Sequence, residues 1–222
     1  MRTLKFTSLF FLILLFASCA SRLPLNQSFY NTKKVGVIIQ VDSIGIAKTG
    51  SQGLLDMALT PGNKYKGPLH AVAMKLNPEA LLAEEISSLL KAKNKDFIII
   101  PFNVINQNLV KFEAPEASDK KYYKNDLRAI KTKYNVDELL YVRAKYGLLI
   151  SYYSMVETGR QGHTELAANI INLDDNSLLL QDKISSVTPL KGKWNEEPEY
   201  ENLTNSIKEA IALSIVTLKT KF

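Results

Sequence analysis

The chain has 222 residues, 46% of them apolar, with only 10 Gly and 8 Pro, which allows one sizeable core and argues against broad disorder. Its formal charge is +6, and without Arg2 and Lys5 it is 28 − 2 = 26 basic against 22 acidic residues, or +4. That mild excess suits anionic surfaces but excludes the dense basic footprint of a nucleic-acid binder.

Arg2 and Lys5 form a positive N-terminal region, and Leu9 to Ala17 is an unbroken apolar run of nine residues. A spanning helix needs about 20 apolar residues, so the run reads as the apolar part of an export signal. It ends at Phe16-Ala17-Ser18-Cys19, and Cys19 is the one cysteine of the chain. No disulfide within the chain is therefore open to it. This stretch resembles the lipobox of bacterial lipoproteins, with Ala17 and Ser18 at the small positions and Phe16 in place of the usual Leu. The resemblance implies removal of residues 1–18 and lipid on Cys19. The open alternative is ordinary cleavage after Ala20, with the protein released into the periplasm. By the same resemblance Ala20, where inner-membrane lipoproteins often carry Asp, implies the periplasmic face of the outer membrane.

Residues 19–33 lack periodicity and read as a lipidated tether, with residues 34–222 as a single domain. Lys34 to Val41 carries a nearly continuous β-branched run, as in a strand buried on both faces. Asp42 to Pro68 is rich in Gly, Ser, Thr, Asn and Lys and reads as a long loop, with a short helix at Gly53–Leu59. Loops of that length are often functional. Asn77 as N-cap, Pro78 at the first helical position and Glu79 in the first turn start a helix. Its stripe is Leu82, Ile86, Leu89 and Leu90, with Lys91 and Lys93 at its end. Phe97 to Ile100, stopped by Pro101, reads as a second buried strand, and Val104 to Asp119 fits no pattern. Lys120 to Tyr134 reads as a helix with Tyr123, Leu127, Ile130 and Tyr134 on one face and Lys120, Lys124, Arg128 and Lys131 on the other. Three strands follow: Leu139–Val156, bent at Gly147; His163–Leu173 after a turn at Thr158–Gly162; and Ser177–Ser186 after a turn at Asp174-Asp175-Asn176. A loop from Val187 to Tyr200 carries Trp194, and a last helix covers Glu201–Lys219.

The order β-α-β-α-β-β-β-α predicts an α/β (α+β) fold: a mixed sheet of about five strands with helices packed on it. A helix leading into Val136-Asp137-Glu138-Leu139-Leu140-Tyr141-Val142, followed by a meander through Ala167–Asp175 and Leu178–Gln181, resembles the α/β periplasmic lipoproteins that serve envelope machines. The curli-export lipoprotein and transport-accessory lipoproteins are examples. The likeness covers roughly 34–219 as a pattern, without a diagnostic motif, and implies an accessory or assembly role with protein partners.

Candidate chemistry is sparse. Thr49-Gly50-Ser51-Gln52-Gly53 approaches a nucleophile elbow, with Thr49 where the first Gly belongs and His70 or His163 as the base. Gly45 to Gly50 holds the letters of a phosphate loop in the wrong order. Two His far apart and a committed Cys19 do not make a zinc site. Asp174-Asp175-Asn176 lacks the spacing of a calcium loop, and no pattern asks for a cofactor. Glu196-Glu197-Pro198-Glu199 beside Trp194 offers carboxylates that a sugar site uses, although a solvated loop explains it as well. Ser51, Lys64, Tyr65 and Trp194 are the candidate surface for a partner or ligand. Lys120, Lys124, Arg128 and Lys131 are the candidates for an anionic surface. The expectation is a non-enzymatic, lipid-anchored accessory protein. The alternatives are a small-ligand or glycan binder using the Asp42–Pro68 loop and Trp194, and a serine hydrolase at Ser51.

Overall fold

The computed structural model describes residues 22–31, 34–54, 57, 63–105 and 109–222. The expected signal, residues 1–18, and Cys19 lie outside the described residues.

Six strands form one mixed sheet. They are β1 (Lys34–Val41), β2 (Gly45–Thr49), β3 (Asp96–Ile99), β4 (Glu138–Tyr153), β5 (Val156–Asn172) and β6 (Leu178–Pro189). The order is β3-β1-β4-β5-β6, with β2 also on β4. β1 and β2 are two halves of one line. Both run parallel to β4, with Val35–Val41 opposite Glu138–Ala144 and Gly45–Thr49 opposite Gly147–Ser151. At the join Gly147 has φ +146°, and a Cβ there would stand 2.0 Å from the Gly45 carbonyl oxygen. Only glycine permits this backbone approach; the β4–β5 ladder runs through Gly147 in register, and its one irregularity falls between Ser151 and Tyr152.

The helices are α1 (Lys66–Lys75), α2 (Pro78–Ala92), α3 (Ala129–Tyr134) and α4 (Glu201–Lys219). α2 begins where the capping pattern placed it, with the Asn77 side chain accepting the Ala80 N–H at 3.0 Å. Inward-facing β4 residues Leu140, Val142, Leu148 and Ile150 share a core with Leu69 and Val72 of α1, Leu82, Ile86 and Leu90 of α2, and Leu203, Ile207, Ile211 and Leu218 of α4. The opposite face has a smaller core at the start of β4: Ile38, Ile100, Ile105, Leu127, Ile130, Leu139 and Tyr141. Further along that face Arg143 and Lys145 are exposed, Gly147 is buried, and Leu149 and Ser151 are half-buried.

Several expectations are corrected. The Asp42–Pro68 loop is interrupted by β2, which gains a ladder with β4. Of the short helix at Gly53–Leu59 only Leu54 and Met57 are described past Gly53, and the Met57 N–H donates to the Gly53 carbonyl at 3.0 Å. β3 is an edge strand, not a buried one, because it pairs only with Lys34–Val37 of β1. Ile98 and Ile99 are exposed and Ile100 alone is buried. The turn expected at Thr158–Gly162 is strand. The reversal falls at Ser154-Met155, whose φ values of 45° and 68° suit a tight hairpin. Gly162 serves a different need: a Cβ there would lie 2.3 Å from the Ser206 backbone, so α4 closes on β5 across it.

The helix expected over Lys120–Tyr134 shrinks to Ala129–Tyr134. Asn176 is the cause. It is fully buried at φ +64°. Its side chain donates to the Tyr123 and Asn125 carbonyls, each at 3.0 Å, and accepts the Leu127 N–H at 3.1 Å. Those backbone groups are thereby held extended against the β5–β6 turn instead of coiling. The Asp174-Asp175-Asn176 turn itself is where the sequence placed it.

Candidate functional site

The two ends of the sheet differ in character. At one end the stretch read as tether is docked over its described part. Leu23 exchanges backbone bonds with Gln181 at 2.8 and 3.0 Å, and the Asn26 N–H donates to Leu179 at 2.8 Å. Phe29 is fully buried, with Tyr30 and Phe222 edge-on at 5.6 and 5.7 Å. Lys95 donates to the Phe29 carbonyl and lies 4.2 Å from the centre of its ring. Burial pushes the Lys95 ammonium down, with nearby Glu138 opposing.

Gln181 pairs with Asn169, and Asn169 with Tyr141. From Tyr141 the β4 strand runs on to Tyr153, where the hairpin turns. At about 3.3 Å per residue the hairpin tip stands about 40 Å along the strand from the docked N-terminal segment.

That tip is apolar and exposed. Tyr153, Met155 and Val156 project from the hairpin, and Leu54 and Met57 from the segment beside it, each more than half exposed, up to 83% at Leu54. The segments are fastened together, because Gln52 bridges to Met155 and the Gly53 N–H donates to the Met155 carbonyl at 3.3 Å. No sequence motif singled out this patch. Its signal was a run of large apolar residues, Tyr152, Tyr153, Met155 and Val156, broken only by Ser154.

Three of the four proposed ligand-surface residues come together. Tyr65, at the start of α1, packs on Trp194 at 5.1 Å between ring centres, and Lys64 lies 5.2 and 5.9 Å from the two rings. Arg160 joins them, 4.9 Å from the Trp194 ring, and is paired with Glu157 at 2.7 Å. Tyr65 is 7% exposed. Its hydroxyl and the Arg160 Nε are both buried without a hydrogen-bond partner among the described residues. Arg160 escaped the sequence reading because it was assigned to a turn.

Ser51, the fourth of those residues, is exposed. β2 ends two residues before it, nearer the elbow pattern than the sequence suggested. His163, however, pairs with Gly147 at the level of Gly45, roughly 20 Å back along the strands at 3.3 Å per residue. It sits 3.4 Å from the Ser185 hydroxyl, and burial pulls its imidazole below the usual value while Glu165 opposes. His70 is exposed on α1. The wrong-order phosphate letters are now accounted for, since Gly45–Thr49 is β2.

The basic face does not form. Lys120 pairs with Asp175 at 2.7 Å, Arg128 with Asp126 at 2.7 Å, and Lys131 with Asp174 at 2.5 Å and Asp137 at 3.6 Å. Lys124 is exposed on an extended segment, its carbonyl accepting the Phe112 N–H. Hydrogen bonds donated to Asp175, Asp126 and Asp174 raise the pKa values of Lys120, Arg128 and Lys131. These cations are thus engaged with carboxylates. The acidic loop is similarly occupied: Glu199 pairs with Lys75 and Glu197 accepts the Tyr200 hydroxyl at 2.9 Å. A separate groove of about 540 Å³ is lined by Val104, Leu109, Val110, Leu127, Ile130 and Lys133, among others.

No family model and no curated protein matches the chain. Among solved structures, a neuraminyllactose-binding hemagglutinin homolog from Helicobacter pylori superposes with a TM-score of 0.41 at 10% identity, over 92% of this chain and 90% of that one. A DUF330 family protein from Xanthomonas campestris gives 0.40 at 7%, over 90% and 86%. Lipoprotein GNA1162 from Neisseria meningitidis gives 0.33 at 12%, over 82% and 99%. Likenesses this low in identity and superposition say nothing about what the chain binds.

Proposed function

We propose that the chain is an envelope lipoprotein, anchored through Cys19 to the periplasmic face of the outer membrane, with a non-enzymatic accessory role carried out through a protein partner. The observation behind the partner is the apolar hairpin tip. Large apolar groups gathered on a protrusion mark an interaction surface. Because the tip lies about 40 Å along β4 from the docked N-terminal segment, an upright domain holds it away from the anchoring bilayer, where a protein with an apolar recess meets it. The test is a photo-crosslinking residue placed at Tyr153 or Met155 in the native envelope, with Lys208 as a control position. A defined protein adduct from the tip alone is expected. No adduct, or the same adducts from Lys208, overturns the reading.

The Lys64–Tyr65–Trp194–Arg160 cluster favours a second reading, binding of an oxygen-rich small ligand or glycan. Its two buried donors without partners would be completed by ligand oxygens. Trp194 is the one tryptophan, so its fluorescence reports directly. A saturable change with added neutral or acidic oligosaccharides supports this reading, and an unchanged spectrum across both classes removes it.

A further inference from the structure

The docked end carries a second kind of surface. The C-terminal turns of α2 and α4 converge there with the N-terminal segment. Lys93 donates to the Phe222 carbonyl at 2.6 Å, and the Tyr30 hydroxyl donates to the same oxygen. Arg22 and Lys221 share one carboxylate, Asp182, at 3.3 and 3.1 Å. Asp182 is nearly buried, while the Arg22 side chain is 67% exposed and that of Lys221 32%, so two cations, one of them well exposed, lie over one inward anion. Lys91 is exposed and makes no ion pair among the described residues. Lys219 is held by Glu85; the exposed acids at this end are Asp96 and, on the β5–β6 turn, Asp174, which together with Asp137 is paired with Lys131. Tyr30 is 42% exposed beside them.

We infer that this end, through Arg22, Tyr30, Lys91, Lys93 and Lys221, seats on the anionic phospholipid headgroups of the bilayer. The inference rests on the anchored reading for its geometry. Two residues, Ala20 and Ser21, separate Cys19 from Arg22, and three fully extended peptide steps span at most about 11 Å. Arg22 belongs to the docked segment, so a lipid on Cys19 holds this end of the domain within roughly one Debye length of the membrane surface. A cation at that distance gains from the surface potential of an anionic leaflet, and a half-exposed tyrosine belongs at the headgroup level. Lysines at helix C-termini also complement the helix dipole. That role needs no bilayer, and a dependence on headgroup charge separates the two. Seated this way, the sheet stands upright and the apolar tip points away from the membrane.

The experiment uses the full chain purified from the envelope, with the N-terminal peptide weighed first. The protein is reconstituted into vesicles of phosphatidylcholine alone, or with about one third phosphatidylglycerol, and treated with an amine-reactive label. Lys91 and Lys221 label at least 5-fold more slowly in the anionic vesicles, whereas Lys48, Lys66 and Lys208 label equally in both. Salt at about 0.5 M, where the Debye length falls to about 4 Å, removes the difference. Equal labelling of Lys91 and Lys221 in both vesicles overturns the inference. If the weighed peptide carries no lipid, the anchored reading fails by itself. The basic end is then read by co-sedimentation, where preference for anionic vesicles supports it and no preference overturns it. Neutralising Arg22, Lys91 and Lys221 to Gln weakens that binding about 5-fold each, on the order of 100-fold together. The matched set Lys48→Gln, Lys66→Gln and Lys208→Gln leaves it unchanged, and circular dichroism on both sets confirms the fold.

Discussion

Replacing Phe29 with Ala tests whether the segment before β1 is part of the fold or a strap lying on it. The ring is fully buried, touches Tyr30 and Phe222 edge-on, and carries the Lys95 ammonium 4.2 Å from its centre. Truncating a buried Phe costs about 3–5 kcal/mol, of which each aromatic pair accounts for roughly 0.5–1.5. If residues 22–31 unfold together with the sheet, urea unfolding followed by circular dichroism and by Trp194 fluorescence shifts by that full amount on both probes. For a domain of this size that is a fall in Tm of roughly 10 °C. If the segment merely rests on the sheet, its detachment is local and the global midpoint barely moves. A loss under about 1 kcal/mol with an unchanged m-value would refute the docking, and with it the short link between Cys19 and the domain.

Gly162→Ala pushes a methyl to 2.3 Å from the Ser206 backbone and disturbs the bond from its N–H to the Ser206 hydroxyl. It should lower stability by about 1–3 kcal/mol or more, read as a fall in Tm, and an unchanged Tm would show that α4 yields freely. Asn176→Ala removes three hydrogen bonds to the 123–127 segment and puts Ala at positive φ. A loss of about 3 kcal/mol follows, with the Leu127 amide losing its protection from hydrogen exchange first. His163 titrates below its usual 6.5 because burial disfavours the imidazolium. Between the lowered folded value and 6.5 the unfolded chain binds the extra proton, so stability rises with pH across that window. NMR titration of the ring gives the midpoint, and His163→Gln should flatten the slope of stability against pH there.

Elements with local causes were legible. β1 follows from an unbroken β-branched run, α2 from Asn77 and Pro78, and α4 from a stripe at helical spacing, and all three stand where the sequence places them. The failures share a different cause, a decision made by a distant residue. Asn176 unwinds a helix that Lys120–Tyr134 would favour alone. Ser206 explains Gly162, which read as a turn. β3 looks like a central strand by composition, yet pairing on one side only leaves it at the edge. The candidate site splits the same way. Lys64, Tyr65 and Trp194 were singled out separately and meet in space, but Arg160 between them was invisible without the hairpin register. The basic stripe was a correct list of cations on a helix that does not form, and the carboxylates that neutralise them come mostly from the β5–β6 turn and its approaches.

The separation between the two ends gives the molecule its direction. Exposed apolar groups on a flexible loop would fold back and bury themselves. Here the strands beneath the tip prevent it, because Leu148, Ile150 and Tyr152 are buried in the main core just below the turn and fix where Tyr153, Met155 and Val156 can point. The patch is therefore held open at a cost the fold must recover elsewhere, which a monomer without a partner gains nothing by carrying. At the opposite end charge, not apolar area, is presented, within reach of Cys19 through Ala20 and Ser21. A rigid hairpin with a polar seat and an apolar tip transmits position: whatever binds the tip is held about 40 Å along the strand from the seat. A deletion removing two matched pairs at a time from β4 and β5 keeps each side chain on its face and shortens that distance by about 6.6 Å. If the role is to bridge the bilayer to a partner, such shortening should abolish crosslinking from Tyr153 while leaving the fold and the seat intact, and undiminished crosslinking would show that the height of the tip does not matter.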